Sequence, residues 1–261
     1  MNKIDITYLK LHTEGLPNSF RGCRILHISD LHGNVHDKNM DYLIHEAQSL
    51  HPDYIFITGD LIDEHHKNIV QVCDFIRLLK KLAPIYYVTG NHEWVTQQRE
   101  RLFKYLTKIG VHILQDDILI ISRDSDKIQL MGMNDPYVLP GKKTIQYQRT
   151  STRAFLERFV KLNHMREKDI FTILLSHRPE LIHFYAKSRI PLIFSGHAHG
   201  GQFRIIGKNG LLAPHQGFFP KYTAGVIKIE NTQMIVSRGL GNSGFPFRIK
   251  NPYELILVEL S

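Results

Sequence analysis

The sequence predicts an α/β fold in which short, buried strands alternate with helices. Two observations support this prediction. Strand-sized apolar runs in the first third of the chain are separated by segments with apolar residues at helical spacing, and short strand-like runs separated by Gly, Asn and Pro fill the last third. Strands joined by helices favour a buried sheet with a parallel part. The 261 residues can bury a sizeable core, and we expect a single domain spanning residues 1–261.

The first third of the chain repeats a strand-helix unit. Predicted strands cover residues 24–29, 54–58 and 85–89, and predicted helices cover residues 40–50, 68–82 and 96–109. The helix at 68–82 shows the pattern most plainly, because its apolar residues recur at the spacing of one helical face. These residues are Ile69, Val72, Phe75, Ile76 and Leu79.

The middle and the end of the chain change in character. Two short strand-like runs lie within residues 111–133, a polar stretch covers 134–150, and a helix is predicted at 152–162. Further strands are predicted at 171–176 and 191–195. The last third then holds short strands at 203–206, 226–230, 234–237 and 255–259, separated by turn residues. This spacing predicts a largely antiparallel second sheet.

The charge of the chain favours anionic partners. Thirty-three Lys and Arg against 25 Asp and Glu give a net charge of +8, which attracts anions without separating nucleic acid, anionic lipid and phosphorylated metabolites. There is no dense basic run, and no nucleic-acid groove or obligate protein partner is evident. The charge alone therefore leaves the class of anionic partner open.

Cysteine content and hydropathy predict where the protein resides. Cys23 and Cys73 are the only cysteines, and we expect both to pack as small hydrophobes. No apolar run approaches the roughly 20 residues that a membrane helix needs, and the first residues lack the features of a secretory signal. We expect a cytoplasmic protein that can also contact the membrane surface peripherally.

Five predicted strands end in side chains that bind metals. In chain order, these strand ends carry Asp30 and His32, then Asp60, then Asn91, His92 and Glu93, then His177, then His197 and His199. In open α/β sheets, ligands bind beyond the carboxyl ends of the strands. We therefore expect all five groups to meet at one edge.

The residue types fit a site for divalent cations. Carboxylate and amide oxygens together with imidazole nitrogens favour Mn, Fe, Zn or similar ions, and the lack of thiolates argues against a structural zinc site. Residues two apart in an extended segment point the same way. On this reasoning Asp30 with His32, and His197 with His199, each present two ligands to one site.

Each motif alone is a weak signal, but the five together, in this order and each behind a strand, are a strong one. In these residues the chain resembles the calcineurin-like metallophosphoesterase superfamily, whose pattern is D-x-H, G-D, G-N-H-[D/E], H and G-H-x-H. The resemblance implies a two-sheet β-sandwich flanked by helices, in four αββα layers, with a dinuclear metal centre. It covers residues 24 to 260.

By position, the resemblance assigns two ligand sets that share Asp60. The first set is Asp30, His32, Asp60 and His199, and the second is Asp60, Asn91, His177 and His197. The cofactors implied are two divalent cations, with Mn preferred and Zn, Fe, Co, Mg or Ni as alternatives. Asp60 and His92 are the predicted catalytic residues. His92 is adjacent to a ligand, and its imidazole would stabilise phosphoryl charge or protonate the leaving group.

A finer resemblance concerns substrate class. The block Gly-His-Ala-His-Gly-Gly-Gln at residues 196–202 is similar to that of a bacterial branch with phosphodiesterases of cell-envelope metabolism, including enzymes that act on UDP-linked acylated sugars. Members of that branch often begin with a membrane-anchoring helix, and the sequence here predicts none. The resemblance thus implies hydrolysis of a phosphodiester or pyrophosphate bond in a small anionic phosphorylated substrate, linked to a nucleotide or a lipid.

Two alternative functions stay open. One is a broad-specificity phosphomonoesterase or a nuclease, although nucleases tend to need an extended basic groove with stacking platforms. The other is a binding scaffold that keeps the fold without the chemistry, a class that should lack some of the metal ligands.

The substrate-binding residues are not identified. For the late aromatic residues, core packing or loop anchoring is favoured over contact with a base or an acyl chain; these are Phe218, Phe219, Tyr222, Phe245 and Phe247. For Lys142, Lys143 and Arg149, a solvated surface and a phosphate contact are equally supported.

Overall fold

Two six-stranded sheets dominate the computed structural model, which describes residues 4–35, 37–63, 69–138, 145–204, 210–242 and 248–261. Strands are numbered in chain order. Sheet I has the spatial order β1 (Ile4–Leu11), β14 (Tyr253–Leu260), β2 (Arg24–Ile28), β3 (Tyr54–Thr58), β4 (Ile85–Val88), β5 (His112–Ile113). Sheet II has the order β12 (Gly225–Ile229), β13 (Thr232–Val236), β9 (Leu192–Ser195), β8 (Thr172–Leu175), β7 (Asp126–Gly132), β6 (Asp117–Arg123). A separate small hairpin pairs β10 (Leu212–Ala213) with β11 (Gly217–Phe218).

The helices lie between the strands in sequence. They are α1 (Asp37–Ser49), α2 (Ile69–Leu79), α3 (Asn91–Val95), α4 (Arg99–Lys108), α5 (Ile145–Met165) and α6 (Ile182–Lys187). Within the described part of the chain, no helix combines the length and the apolar character needed to cross a membrane.

Three hydrophobic clusters separate four layers of structure. The first joins sheet I to α1, α2 and α4, with Leu102 of α4 fully buried in it. The second lies between the two sheets, where Phe56 and Phe194 pack edge to face at 5.1 Å between ring centroids. The third joins sheet II to α5 and α6, and it includes Leu174 of β8 and Phe159 of α5. This arrangement confirms the predicted four-layer αββα sandwich.

Side-chain alternation explains why the strands are apolar on both faces. In β3, Ile55 and Ile57 belong to the cluster under the helices, and Phe56 between them belongs to the cluster between the sheets. Successive side chains of a strand point to opposite faces, so a strand covered on both sides needs a continuous apolar run. Full burial of each such side chain contributes about 1.5–3 kcal/mol.

The strand-helix units that position the site are present as predicted. Strands β2, β3 and β4 run parallel in sheet I, as do β7, β8 and β9 in sheet II. All four predicted helices differ from the structure at their ends; for example, α1 begins at Asp37 and α2 ends at Leu79. The helix predicted at 96–109 is α4, preceded by the separate short helix α3. The helix predicted at 152–162 begins at Ile145, so the predicted polar stretch extends too far.

The prediction that the last third forms its own antiparallel sheet is wrong. Strands β12 and β13 do pair antiparallel, but β13 also pairs in parallel with β9, and β14 inserts between β1 and β2 of sheet I. The reason lies in β14, where Leu255 and Leu257 face the helices while Ile256 and Val258 face the other sheet. A strand that is apolar on both faces requires a covered, central position.

Three further sequence predictions can be compared with the structure. In the strand predicted at 203–206, Phe203 and Arg204 form isolated bridges, and residues 205 and 206 lie outside the described residues. Strand β1 was not predicted; it pairs in parallel with β14 along its full length. Cys23 and Cys73 are both buried free thiols, as predicted.

Candidate metal centre

The predicted site residues, seven metal ligands and the catalytic His92, follow the carboxyl ends of five strands. They are Asp30 and His32 after β2, Asp60 after β3, Asn91 and His92 after β4, His177 after β8, and His197 and His199 after β9. All are buried except Asn91 and His92, which are half-buried. The structure therefore brings all of them to one edge of the sandwich.

The first cluster is formed by Asp30, His32, Asp60 and His199, whose candidate ligand atoms all lie within 4.8 Å of one another. His199 Nε2 is 3.2 Å from Asp30 Oδ1 and 3.2 Å from His32 Nε2. His32 Nε2 is 3.7 Å from Asp60 Oδ2. This composition is that of the first predicted ligand set.

The second cluster is formed by Asp60, His177 and His197. His177 Nε2 lies 3.2 Å from Asp60 Oδ2 and 3.0 Å from His197 Nδ1. Asp60 therefore belongs to both clusters. Asn91 is the remaining residue of the second predicted set, and its Oδ1 is buried with no hydrogen-bond partner among the described residues.

The backbone of the ligand loops differs from the extended conformation assumed for the sequence. Asp30, His32, Asp60, His197 and His199 all have positive φ, between 47° and 68°. Side-chain alternation along a strand is therefore the wrong reason for the convergence of Asp30 with His32 and of His197 with His199. Residues other than glycine are uncommon in this region, and each such position costs of order 1–3 kcal/mol. Strain of this kind is concentrated at functional sites.

Two glycines allow the loops to approach one another closely. A Cβ added to Gly90 would collide with the Asp60 carboxylate, and one added to Gly196 would collide with Ser29 Oγ and the Asp30 carboxylate. Any larger residue at these positions would displace a carboxylate of the clusters. The glycines of the motifs are therefore explained by packing against the acidic side chains.

Two of the imidazoles are oriented by acceptors outside the clusters. His177 Nδ1 lies 2.6 Å from the carbonyl oxygen of Thr58, and His32 Nδ1 lies 3.4 Å from Asp63 Oδ2. A carbonyl oxygen only accepts hydrogen bonds, so His177 Nδ1 carries a proton, while the His32–Asp63 contact is an ion-pair distance. In its neutral form, His177 would direct the lone pair of Nε2 into the second cluster, as metal-binding histidines do.

The other two imidazoles also contact a partner through the outer nitrogen. His199 Nδ1 is 3.3 Å from the carbonyl oxygen of Gly241, with the Arg248 guanidinium 3.0 Å from the same nitrogen. His197 Nε2 is 2.9 Å from His215 Nδ1. The sequence analysis did not identify His215, which lies in the turn of the β10–β11 hairpin, and no motif marked it.

A buried carboxylate joins the loops after β3 and β4. Glu93 Oε2 accepts the N–H groups of Asp60 at 3.0 Å and Gly90 at 2.8 Å, and Oε1 accepts that of Leu61 at 2.6 Å. Burial, followed by the charge of Asp60, raises the pKa of Glu93 to about 7. Glu93 is part of the sequence motif, but the sequence analysis assigned it no role. Its contacts indicate that it fixes the position of Asp60.

A buried ion pair lies beside the second cluster. Arg178 donates to Asp135 at 2.5 Å from Nε and 2.9 Å from Nη2, and its Nη1 is 3.3 Å from His197 Nε2. Burial opposes the charged guanidinium, but Asp135 holds the pKa of Arg178 above its usual value. The sequence carried no signal for this pair, because its two members are far apart in the chain.

The electrostatics of the clusters favour positive charge beside Asp60. Burial opposes ionisation of Asp60, but the neighbouring imidazoles, His177 first, hold its pKa well below the usual value. Burial disfavours the charged form of His177 too, yet Asp60 raises the pKa of this histidine to about 10. Burial lowers the pKa of His197 and His199 well below the usual range, so both rings are neutral, the form that binds metals.

His92 lies against the first cluster. Its backbone N–H donates to Asp60 Oδ1 at 2.9 Å, and its ring packs edge to face on His32 with 4.7 Å between centroids. A third group of potential ligand atoms joins His92 to His32 and Asp63. Burial lowers the pKa of His92. The catalytic role of His92 stays a prediction.

Core packing, one of the two roles predicted for the late aromatic residues, does not apply to two of them. Phe218 and Phe219 are 79 % and 76 % exposed. Tyr222 is half-buried, and its hydroxyl lies 2.7 Å from His183 Nε2. Other residues considered as substrate contacts lie outside the described side chains: Lys142, Lys143, Arg149, Phe245 and Phe247.

A family comparison identifies this arrangement. The family model for calcineurin-like phosphoesterases matches residues 23–201, which contain all of the candidate ligands. The chain belongs to the calcineurin-like phosphoesterase family. Its clusters of buried His and Asp are those expected for a family that depends on a dinuclear metal centre.

The names of two curated relatives of this chain specify no substrate. It is 29 % identical over 248 residues to an uncharacterized metallophosphoesterase of Campylobacter jejuni, covering 94 % of this chain and 61 % of that protein. It is 30 % identical over 262 residues to a transmembrane protein with metallophosphoesterase domain of Bos taurus, covering 96 % of this chain and 55 % of that protein. The chain thus spans little more than half the length of these relatives.

Solved structures share the fold at low sequence identity. The phosphopantetheinyl hydrolase PptH of Mycobacterium tuberculosis superposes with a TM-score of 0.53 at 13 % identity, covering 85 % of this chain and 91 % of that chain. TT1561 of Thermus thermophilus superposes with a TM-score of 0.54 at 13 % identity, covering 84 % of this chain and 90 % of that chain. At this identity, the similarity establishes the fold alone.

Proposed function

We propose that this phosphoesterase hydrolyses phosphoric esters with the help of two divalent cations held around Asp60. The observation that carries the proposal is the sharing of Asp60 between two clusters whose imidazoles face one another. His32 Nε2 and His199 Nε2 are 3.2 Å apart, and His177 Nε2 and His197 Nδ1 are 3.0 Å apart. Each facing pair brings two potential ligand atoms together, so that the rings in their neutral form could bind one divalent cation between them.

The donor set fits such cations. Asp30, His32, Asp60 and His199 would hold one ion, and Asp60, Asn91, His177 and His197 would hold the other. The orphaned Asn91 Oδ1 supplies an oxygen donor that nothing in the described residues satisfies, and buried polar atoms without partners require an explanation. Oxygen and imidazole donors without thiolate suit Mn first, with Zn, Fe, Co, Mg or Ni as alternatives.

When bound, two such cations would activate a water molecule and neutralise charge on the phosphoryl group. Asp60 keeps the two sets together, and Glu93 holds the Asp60 backbone through its N–H group. His92, which belongs to neither set, would carry the proton for the leaving oxygen at its imidazole. Arg178, fixed by Asp135, adds a permanent positive charge beside His197.

For the substrate, we propose a phosphodiester or pyrophosphate linked to a nucleotide or a lipid. Support comes from the resemblance of residues 196–202 to the bacterial envelope branch and from the net charge of +8, which attracts anions.

Activity measurements with the Mn²⁺-loaded protein test both the proposed hydrolase activity and the proposed substrate class. We expect faster hydrolysis of bis-p-nitrophenyl phosphate and of a UDP-sugar than of p-nitrophenyl phosphate. A matched pair of variants controls for charge removal: Asp60→Asn in the clusters, and Asp74→Asn on the surface of α2, where the carboxylate pairs with Arg77 at 3.1 Å. Asp60→Asn should lose activity by orders of magnitude and Asp74→Asn none.

The outcomes distinguish failure of the proposed substrate class from failure of the proposed hydrolase activity. Preference for the monoester would refute the substrate class and leave the hydrolase standing. Metal-loaded protein without activity on any of the three substrates would refute the hydrolase.

A further inference from the structure

The β10–β11 hairpin presents two consecutive phenylalanines to solvent. Phe218 and Phe219 are 79 % and 76 % exposed, more than any other large hydrophobic side chain of the described residues. We call this pair the aromatic edge. Single exposed apolar side chains are ordinary, but adjacent large ones mark an interaction site.

The backbone conformation is the reason that both rings are exposed. Consecutive side chains of a strand point to opposite faces, so one ring of a regular strand would turn inward. Phe219 instead has a φ of 54°, and its N–H donates to the carbonyl oxygen of Leu211 at 2.9 Å. This left-handed conformation is rare for a bulky residue. The hairpin thus maintains a strained backbone that places a second ring in solvent.

The segment that carries the aromatic edge is anchored on both sides. Gln216 Nε2 donates to the carbonyl oxygen of Tyr222 at 2.9 Å, and the Tyr222 N–H donates back to Gln216 Oε1 at 3.0 Å. The Tyr222 hydroxyl reaches His183 of α6 at 2.7 Å, and Pro220 is buried. The exposure of the rings is therefore a property of the folded hairpin.

Lysines accompany the exposed apolar residues. Lys221, two residues after Phe219, is exposed. Backbone contacts connect the aromatic edge to a second exposed apolar residue, Ile249. The Leu211 N–H donates to the carbonyl oxygen of Phe203 at 2.8 Å, and Phe203 forms a β-bridge with Ile249. Ile249 is 50 % exposed and is followed by the exposed Lys250. Apolar side chains beside lysines match a surface that is apolar inside and anionic outside.

We infer that the aromatic edge docks this protein on the surface of a bilayer that contains anionic phospholipid. The rings would enter the boundary between head groups and acyl chains, and Lys221 and Lys250 would meet the lipid phosphates. The net charge of +8 acts in the same direction. His215, in the turn of the same hairpin, lies 2.9 Å from His197. Docking would thus bring the metal centre next to the lipid surface.

Vesicle sedimentation tests the inference directly. The full chain is mixed with vesicles of phosphatidylcholine alone and of equimolar phosphatidylcholine and phosphatidylglycerol. The test variant is Phe218→Ser with Phe219→Asn, because asparagine tolerates the left-handed conformation. The matched control is Val160→Ser with Met165→Ser, which removes two exposed apolar side chains, 43 % and 68 % exposed, from α5.

We expect the native protein and the α5 control to bind the anionic vesicles, more weakly as salt is raised. The aromatic-edge variant should bind about a hundredfold more weakly, since each buried ring contributes about tenfold or more. Its metal content and its hydrolysis of p-nitrophenyl phosphate should be unchanged, which excludes misfolding.

Four results would contradict the inference. Native protein that stays in the supernatant with both vesicle types would do so, as would equal binding by the aromatic-edge variant. Equal binding to neutral and anionic vesicles would remove the role of the lysines. A dimer of the native chain that the aromatic-edge variant dissociates, seen by sedimentation velocity without vesicle binding, would assign the edge to a second copy.

Discussion

Replacing Arg178 by methionine would break the buried ion pair beside the second cluster. The Arg178 guanidinium donates twice to Asp135, at 2.5 and 2.9 Å, and the two residues are only 3 % and 1 % exposed. Its Cζ also lies 5.3 Å from the ring of Tyr137. Methionine preserves much of the apolar stem but leaves the Asp135 carboxylate buried without its cation.

The expected loss of stability follows from that geometry. Removing one member of a buried ion pair costs about 3–5 kcal/mol, because the remaining charge is desolvated and unpaired. Small proteins have a free energy of unfolding of about 5–15 kcal/mol, so the variant should unfold at a much lower urea concentration. Equilibrium urea unfolding followed by circular dichroism measures this change. The two proteins can be compared if the slope of the unfolding free energy against urea concentration is the same for both.

An exposed ion pair provides the matched control. Arg153 Nε lies 3.0 Å from Glu157 Oε1 on the surface of α5, with both side chains more than half exposed. Arg153→Met should change stability by less than about 0.5 kcal/mol. Adding Asp135→Asn to Arg178→Met should recover part of the loss, since the unpaired charge is removed. A loss of less than about 1 kcal/mol in the free energy of unfolding of Arg178→Met would refute the reasoning, because an unpaired buried charge destabilises a protein by more than that.

Three other perturbations have defined outcomes. His92→Ala should keep its metals but lose about 10²–10⁴-fold in rate, more for an alkoxide leaving group than for p-nitrophenolate; equal, modest losses in steady-state assays would reject the general-acid role. His215→Ala should weaken metal binding about 10–100-fold, because His197 Nε2 loses the nearer of its two outer partners and keeps only Arg178; a chelator titration with unchanged affinity would contradict this. Burial raises the pKa of Cys23 to about 12 and of Cys73 to about 11, so iodoacetamide should label neither thiol at neutral pH until the chain is unfolded, as mass spectrometry would show.

The strand ends could be predicted because their signal is local. Each apolar run is followed within a few residues by Asp, Asn or His, and parallel strands bring such ends to one edge. The parallel pairing of β2, β3 and β4 and the proximity of Asp30, Asp60 and His177 follow from this rule. Side-chain alternation along an extended strand was the wrong explanation for the paired ligands, because residues such as His32 and Asp60 have positive φ. No pattern in the sequence marks that backbone conformation.

The remaining features depend on contacts between distant parts of the chain. Strand β14 joins sheet I far along the chain from β2, and only its two apolar faces indicate a central position. The supporting residues Asp63, Asp135, Arg178 and His215 are not adjacent to one another in sequence. Their roles come from tertiary contacts around the clusters, which motif spacing does not encode. The exposed aromatic edge similarly depends on the tertiary structure of the β10–β11 hairpin, which includes a positive φ at Phe219.

Metal stoichiometry tests the dinuclear centre most directly. The protein is loaded in turn with Mn²⁺, Zn²⁺ and Fe²⁺, freed of excess metal, and analysed for metal content per chain beside Asp60→Asn. Since Asp60 lies within 4.8 Å of the other ligand atoms of both clusters, the account predicts a value that approaches two for the native chain and a marked loss for the variant. A value near zero for the native chain with every metal, or an undiminished value in Asp60→Asn, would contradict it.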